Sequence, residues 1–258
     1  MIIFFQLLIF VLGLCVGSFV NMAVYRYAID NKLENQKPKI KNKTKNSKRS
    51  YCDGCGRQLR WFENVPVVSW LIQGGRARCC QTPLPYSYPL VELGTGILFL
   101  IYDLRFMIYE GRSWLIWILG LVMIGVMVFA AVVDLKYMIL PDGATIALVI
   151  LALLLGINLD KILAGVAGVA FLGGLYLITK GKGMGLGDVK LAVFMGLLLG
   201  VKGLVVAFYV AFIAGAIVGV AMLALDKKKL KSPIPFGPFL FLGTFMAKWL
   251  NLPPFPLL

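Results

Sequence analysis

The chain has 258 residues, of which 60% are hydrophobic and 15% charged, and its mean hydropathy is +0.86. Soluble domains have about half apolar and about a quarter charged residues, so this composition excludes an ordinary soluble protein and indicates a polytopic membrane protein. The sequence contains no histidine, which excludes Ser-His and Cys-His nucleophilic catalysis and any metal site that uses histidine.

Eight apolar segments are predicted to cross the membrane, since about 20 apolar residues span a bilayer. In chain order they cover residues 2–24, 88–108, 114–133, 144–157, 162–178, 189–201, 204–225 and 235–250. The first segment has no basic residue before it and no small-residue cleavage site, so we interpret it as a retained span. The predicted fold is all-α, with about eight transmembrane helices.

With eight spans, the loops alternate between the two sides of the membrane, and the basic residues are concentrated on one side. Of the 26 Lys and Arg residues, 21 fall on the side that holds the long loop after the first span. The positive-inside rule then puts this loop in the cytoplasm and both termini outside. The same rule accounts for the net charge of +14, so we predict no nucleic-acid partner.

The long loop divides the chain into three predicted parts: a first helix (1–27), a cytoplasmic insert (28–87) and a membrane core (88–258). Residues 31–50 are rich in Lys and Asn and are predicted to be a flexible loop, whose basic run 37–49 binds anionic lipid head groups. The second half of the insert carries Cys52, Cys55, Cys79 and Cys80, which suit a small metal-stabilised fold.

The chain has only 12 acidic residues, so each can be interpreted individually. Eight are predicted to be solvated loop charges: Asp30, Glu34, Asp53, Glu63, Asp103, Glu110, Asp160 and Asp226. The other four fall at predicted cytoplasmic ends of spans: Glu92, Asp134, Asp142 and Asp188. Asp142 follows Pro141, and we interpret it as the N-cap of the fourth span.

Asp134 and Asp188 are predicted to lie at the same membrane depth on different helices. Asp188 follows a glycine-rich loop, Gly183-Met184-Gly185-Leu186-Gly187, in which glycine permits a close approach of backbone to substrate. Two carboxylates that share a proton can activate a water while protonating a substrate carbonyl. The alternative is a pair of interfacial acids without a chemical role.

Six motifs in order resemble those of the bacterial type IV prepilin peptidases, membrane aspartic proteases of the GxGD class. They are Gly17-Ser18-Phe19-x-Asn21, Cys52-x-x-Cys55, Tyr88-Pro89-Leu90-Val91-Glu92, Asp134 with Leu140-Pro141-Asp142, Gly185-x-Gly187-Asp188-x-Lys190, and Phe236-Gly237-Pro238-Phe239. A lone G-x-G-D is a weak signal, but the ordered set covers almost the whole chain.

The resemblance implies an enzyme of the bacterial inner membrane that removes the leader of type IV prepilins or pseudopilins on the cytoplasmic side. It places the catalytic aspartates at Asp134 and Asp188, with Gly185, Gly187, Lys190 and Asp142 supporting them. Family members often also methylate the new N-terminal amine with S-adenosylmethionine, for which Glu92 is a candidate. The resemblance leaves open whether the substrate belongs to a pilus, a type II secretion system or a competence system.

The cysteines depart from the family pattern of two C-x-x-C pairs, which suits a tetrahedral zinc. The first pair is intact, but Ala77 takes the earlier position of the second pair and Cys79 is adjacent to Cys80. Adjacent cysteines are expected to face one metal with difficulty. Zinc bound by all four cysteines and a reduced loop of free thiols are therefore both open.

Three alternatives to a bifunctional enzyme remain. A transporter would relay protons through acids near mid-span and would contain inverted repeats, whereas these acids lie at span ends. A non-catalytic scaffold of a secretion or pilus machine would tolerate Asn at positions 134 and 188. A peptidase without methyltransferase activity is the third alternative, which the cysteine insert disfavours.

Overall fold

A computed structural model of the chain describes residues 2–33, 50–52, 54–109, 113–181, 183–224 and 234–249. These residues form α-helices, with a 3-10 turn at Trp61–Asn64 in the cysteine-containing segment between the first two long helices. The helices are α1 (Ile2–Asp30), α2 (Val68–Ile72), α3 (Ser87–Tyr109), α4 (Trp114–Tyr137), α5 (Asp142–Leu154), α6 (Leu159–Ile178), α7 (Leu186–Ala224) and α8 (Gly237–Trp249). The predicted all-α class is confirmed. The basic run 37–49, predicted to bind lipid, lies outside the described residues.

Four of the described helices are long and apolar enough to cross a membrane: α1, α4, α6 and α7. α5 is a shorter apolar helix, and α3 is long but contains Glu92, Asp103 and Arg105. The membrane character of the protein is thus confirmed, while the count of eight crossings stays a prediction.

α7 is the place where two predicted spans meet. Its 39 residues would extend about 58 Å as a straight helix, about twice the hydrocarbon thickness of a bilayer. Gly200 interrupts it with φ 71° and ψ 179°, a conformation that only glycine adopts readily. The Asp160 carboxylate of α6 accepts the Val201 N–H at 3.3 Å, so it serves the start of the second half. The interruption lies at the edge of the predicted spans 189–201 and 204–225.

The chain divides into two compact units, Met1–Gly111 and Arg112–Leu258. In the first, α1 packs antiparallel against α3. Gly13 lies against Gly96, and Gly17 lies against Glu92, so closely that a Cβ at either position would come within 2.7 Å of the opposite backbone. Such small residues allow two helix backbones to approach. The interpretation of Asp103 as a loop charge is wrong, because α3 continues past it and buries it completely.

In the second unit α7 is the central helix, since it contacts α5, α6 and α8. α4 in turn packs against α5 and α8. The start of α8 joins a cluster of aromatic rings that includes Phe212, Phe236 and Phe239. This arrangement brings the end of α4 and the starts of α5, α7 and α8 into one region.

Candidate active site

Asp134 lies in the last turn of α4, and its side chain is buried, with 6% of the residue exposed. Met138, in the left-handed conformation (φ 57°, ψ 38°), ends the helix with its N–H bonded to the Asp134 carbonyl at 2.8 Å. The Asp134 carboxylate oxygen Oδ2 accepts the backbone N–H of Gly237 at 3.0 Å. A Cβ at position 237 would approach that oxygen to 2.7 Å, so the contact requires glycine.

Asp188 lies in the first turn of α7 and is equally buried, with 7% exposed. Its Oδ2 accepts the N–H of Gly185 at 3.1 Å, and its own N–H bonds back to the Gly185 carbonyl at 3.2 Å. This reciprocal pair closes the glycine-rich loop onto the helix start, where a carboxylate also interacts favourably with the helix dipole.

Leu140 connects the two acids. A Cβ at Gly187 would approach the Leu140 Cβ to 2.9 Å, and a Cβ at Gly237 would approach its Cδ2 to 3.2 Å. The Leu140 side chain therefore lies between the start of α7 and the start of α8. Gly237 bonds to Asp134 and Gly187 directly precedes Asp188, so the segments that hold the two acids share Leu140 as a neighbour.

Asp142 and Lys190 form an ion pair beside this region, with Asp142 Oδ1 and Lys190 Nζ 2.7 Å apart. Both side chains are more than half exposed. The predicted capping role of Asp142 is wrong: Pro141 is the N-cap, and Asp142 is the first helical residue without a capping bond. Its position in the first turn suits a carboxylate, and its side chain turns to α7.

The cysteine insert is built from two similar loops. In the first, Tyr51 pairs with Gln58, and the Gly56 N–H bonds to the Cys52 carbonyl at 2.8 Å. In the second, Arg76 pairs with Pro83, and the Gln81 N–H bonds to the Ala77 carbonyl, also at 2.8 Å. Ala77 is thus the structural counterpart of Cys52, in agreement with the position that the sequence assigns to it.

The four thiols nevertheless converge, with all four Sγ atoms within 4.8 Å of one another. The Sγ–Sγ distances are 3.5 Å for Cys52–Cys80, 3.1 Å for Cys55–Cys79 and 3.8 Å for Cys79–Cys80. A tetrahedral zinc with Zn–S bonds of about 2.3 Å separates its sulfurs by about 3.8 Å. The expectation that adjacent cysteines face one metal with difficulty is therefore wrong, because Cys79 reaches the cluster from two residues past Ala77.

The thiols differ in acidity. Burial raises the pKa of the Cys79 thiol to about 12, with the neighbouring Cys55 thiol adding to the effect. A hydrogen bond from the Thr82 hydroxyl, 3.0 Å from the sulfur, lowers the pKa of Cys80 to about 6. The 3-10 turn that follows the first loop contains a buried acid, Glu63, which is 8% exposed rather than solvated as predicted.

Glu63 joins its 3-10 turn to the end of the first cysteine loop through both of its carboxylate oxygens. One oxygen pairs with the Arg57 guanidinium at 2.5 Å and the other accepts the Arg60 N–H at 2.7 Å. The Arg60 N–H lowers the pKa of Glu63, and Arg57 lowers it further. A carboxylate with these partners stays ionised and serves as a structural group.

Glu92 lies on α3 in the first unit, buried with 7% exposed. Its Oε2 accepts the N–H of Val67 at 2.7 Å. Val67 has φ 59° and ψ −52°, and the N–H of Val68 bonds to the carbonyl of Pro66. This is a strained three-residue turn centred on a β-branched residue, for which positive φ is an outlier. Such strain is concentrated at functional sites.

Sequence reasoning assigned no role to three of these groups: the N–H of Gly237, the side chain of Leu140 and the turn at Val67. Gly237 and Leu140 have no polar side chain of their own that would indicate a contact. Val67 is not one of the residue types that usually form turns. Their roles depend on long-range packing.

Two family models match the chain. "Bacterial Peptidase A24 N-terminal domain" matches residues 11–106, and "Type IV leader peptidase family" matches residues 121–220. Three similar proteins carry the name prepilin leader peptidase/N-methyltransferase. The Aeromonas hydrophila protein is 32% identical over 93% of this chain and 89% of its own length, the Pseudomonas aeruginosa protein 33% over 94% and 89%, and the Bacillus subtilis protein 32% over 93% and 92%.

The chain therefore belongs to the prepilin leader peptidase/N-methyltransferase family. One family model matches residues of the first compact unit and the other matches residues of the second. No solved structure is significantly similar to the chain.

Proposed function

We propose that this protein cleaves the leader peptide of type IV prepilins or pseudopilins and methylates the amine that cleavage exposes. Membership of the family supports both activities. The observation that carries the peptidase mechanism is the pair Asp134 and Asp188. These are two buried carboxylates on different helices, each bonded to the N–H of a glycine.

The pair acts by sharing one proton. Two carboxylates whose charges interact do not both ionise readily, so one retains its proton while the other is a base. The ionised member takes a proton from a water, which attacks the scissile carbonyl carbon. The protonated member donates to the carbonyl oxygen. The N–H bonds from Gly185 and Gly237 fix the carboxylates, and neither histidine nor metal takes part.

The substrate enters from the membrane in this proposal. With eight spans, both termini outside and the insert in the cytoplasm, Asp134 and Asp188 lie at the cytoplasmic membrane surface. A substrate helix leaves the bilayer at that depth. The arrangement of 21 of the 26 basic residues on one side supports this orientation.

The peptidase proposal is tested by assaying prepilin cleavage in membranes with Asp134→Asn and Asp188→Asn, with protein levels matched to wild type. Each substitution keeps the side-chain size and removes the acid. We expect each to abolish cleavage while the protein still inserts. Normal cleavage by both variants would refute the dyad and would favour a scaffold.

We further propose that the insert binds one zinc ion through Cys52, Cys55, Cys79 and Cys80. The spacing of the sulfurs supports this, since four thiolates suit a structural zinc site. When bound, zinc joins the two loops and so stabilises the insert. The ion has no part in either reaction.

The zinc proposal is tested by the metal content of the purified protein. Cys79→Ser should lose zinc, and adding Ala77→Cys to that variant should restore it, because Ala77 is the counterpart of Cys52. Full zinc in Cys79→Ser alone would show that Cys79 is not a ligand. A full chain without zinc under reducing conditions would favour a loop of free thiols.

A further inference from the structure

The α1–α3 seam, the contact between these two helices, has a regular register. Gly13 faces Gly96, Gly17 faces Glu92, and Asn21 bonds to the backbone of Tyr88. Each step is four residues along α1 and four back along α3, or about one helical turn. The seam therefore places Asn21 about one helical turn from Glu92 along the same helix–helix contact.

Asn21 is buried, with 8% exposed. Of the two polar atoms of its side-chain amide, the nitrogen has a hydrogen-bond partner among the described residues and the oxygen has none. Its Nδ2 donates to the Tyr88 carbonyl at 3.1 Å. This bond fixes the orientation, since the reversed amide would put two acceptor oxygens face to face. Oδ1 is buried and has no hydrogen-bond donor among the residues that the structure describes. Unsatisfied buried acceptors are costly and rare, so this oxygen points to a missing donor.

Glu92 supplies a second acceptor in the same seam. Its carboxylate takes the Val67 N–H, and the Ser18 hydroxyl of α1 is a further hydrogen-bonding neighbour. A carboxylate has about four acceptor positions, so it retains capacity for another donor. An amide oxygen and a carboxylate one helical turn apart suit a ligand that carries several N–H donors and a positive charge.

The proposed function produces one such group. Hydrolysis of the leader leaves a new α-amine, which is a cationic N–H donor, at the N-terminus of the mature pilin. We infer that Asn21 Oδ1 and the Glu92 carboxylate bind this α-amine for methyl transfer. The inference rests on the proposed function and adds to it the site at which the second reaction takes place.

The chemistry requires a neutral amine. The bound ammonium gives one proton to the Glu92 carboxylate, and its nitrogen lone pair then forms a bond to the methyl carbon of a sulfonium donor. The carbon–sulfur bond breaks with its electrons left on sulfur, and the methylated amine keeps the surplus proton. The proton on Glu92 returns to solvent. Asn21 orients the nitrogen through the remaining N–H.

The turn at Val67 gives the insert a role in this site. Its N–H bond holds the Glu92 carboxylate against α1, and the strained turn connects that bond to α2 and the cysteine loops. Val67 is therefore a positioning residue, because it acts through Glu92 rather than on the amine. Because of this connection, a methyl-transfer site in the helix seam would depend on the insert.

The test uses the full-length enzyme in membranes and two substrates. One is an intact prepilin, and the other is a pilin peptide that begins at the residue after the scissile bond. S-adenosylmethionine is supplied to both, and products are identified by mass spectrometry. Wild type should cleave the first and methylate both. Failure of wild type to cleave or methylate would refute the proposed function itself.

The informative variants are Asn21→Leu and Glu92→Gln, which preserve side-chain size. We expect each to cleave prepilin at the wild-type rate. We also expect each to raise the KM for the leaderless peptide about 10–100-fold, the effect of losing a hydrogen bond to a charged group. The KM for S-adenosylmethionine should not change. A merely structural defect would not raise one KM alone.

Two controls complete the design. Thr95→Val lies in the same seam, where the Thr95 hydroxyl bonds only within its own helix, to the Val91 carbonyl at 2.7 Å, so methylation should be unaffected. The leaderless peptide with an acetylated N-terminus should not compete with the free amine. Unchanged KM values in Asn21→Leu and Glu92→Gln would overturn the inference. So would equal losses of cleavage and methylation, or an equal effect of Thr95→Val.

Discussion

Buried acids have opposite environments in the cysteine insert and at the ends of the membrane helices. Glu63, Asp134 and Asp188 are all exposed by 8% or less. Glu63 has a guanidinium and a backbone N–H as partners. Asp134 and Asp188 each accept the N–H of a glycine instead.

In the proposed mechanism, this difference separates a structural acid from a reactive one. An acid paired with a cation gains stability in its ionised form, whereas two neighbouring acids oppose each other's ionisation. Burial alone therefore does not identify a catalytic carboxylate. The identity of the partner does, and four predictions test that distinction, from the largest expected effect to the smallest.

The dyad should behave as a unit. We expect Asp134→Asn, Asp188→Asn and the double variant each to lower the cleavage rate about a thousandfold or more, and to about the same level, because residues that act together are strongly non-additive. Single-turnover cleavage of a prepilin in membranes measures this. Multiplied losses in the double variant would mean that the acids act separately.

Gly237→Ala should disturb one acid without removing it. The added Cβ would meet Asp134 Oδ2 at 2.7 Å, so the carboxylate or α8 must move, and we expect cleavage to fall about 10–100-fold. Gly174→Ala is the matched control, because a Cβ there meets nothing within 4 Å. Equal activity of the two variants would show that the Gly237 bond does not position Asp134.

Glu63→Gln should have the reverse profile. It removes the charge that pairs with Arg57 and puts an NH2 group against one of two donors, at a cost of about 1–3 kcal/mol to the insert. We expect zinc to be released faster to a chelator, with dyad cleavage within about threefold of wild type if the insert remains folded. Loss of cleavage with zinc fully retained would contradict the structural role.

Lys190→Met should have the smallest effect. The Lys190–Asp142 pair is exposed on both sides, and exposed ion pairs contribute about 1 kcal/mol or less. We expect the cleavage rate to change by less than about fivefold. The rate should depend weakly on salt concentration in wild type and should be independent of it in the variant. A loss as large as that of Asp188→Asn would place Lys190 in the catalytic machinery.

Much of this molecule was predictable from its residues. The apolar segments predicted helices whose bounds agree with the structure to within a few residues at most ends. The scarcity of acids singled out Asp134, Asp188 and Glu92. The errors share a cause: Asp142 as an N-cap, Asp103 and Glu63 as solvated charges, and Cys79 as a poor ligand were all judged from local sequence. Each is decided by a partner or a packing contact elsewhere in the chain.

The sequence by itself determined the class of the protein, because hydropathy, charge distribution and ordered motifs are properties of consecutive residues. It also identified the carboxylates and thiols that are candidates for the chemistry. Only the tertiary structure decided which of them meet: Leu140 between Gly187 and Gly237, four sulfurs in one cluster despite the Ala77 position, and Asn21 in register with Glu92. These contacts join residues far apart in the chain, so they depend on how helices pack rather than on local pattern.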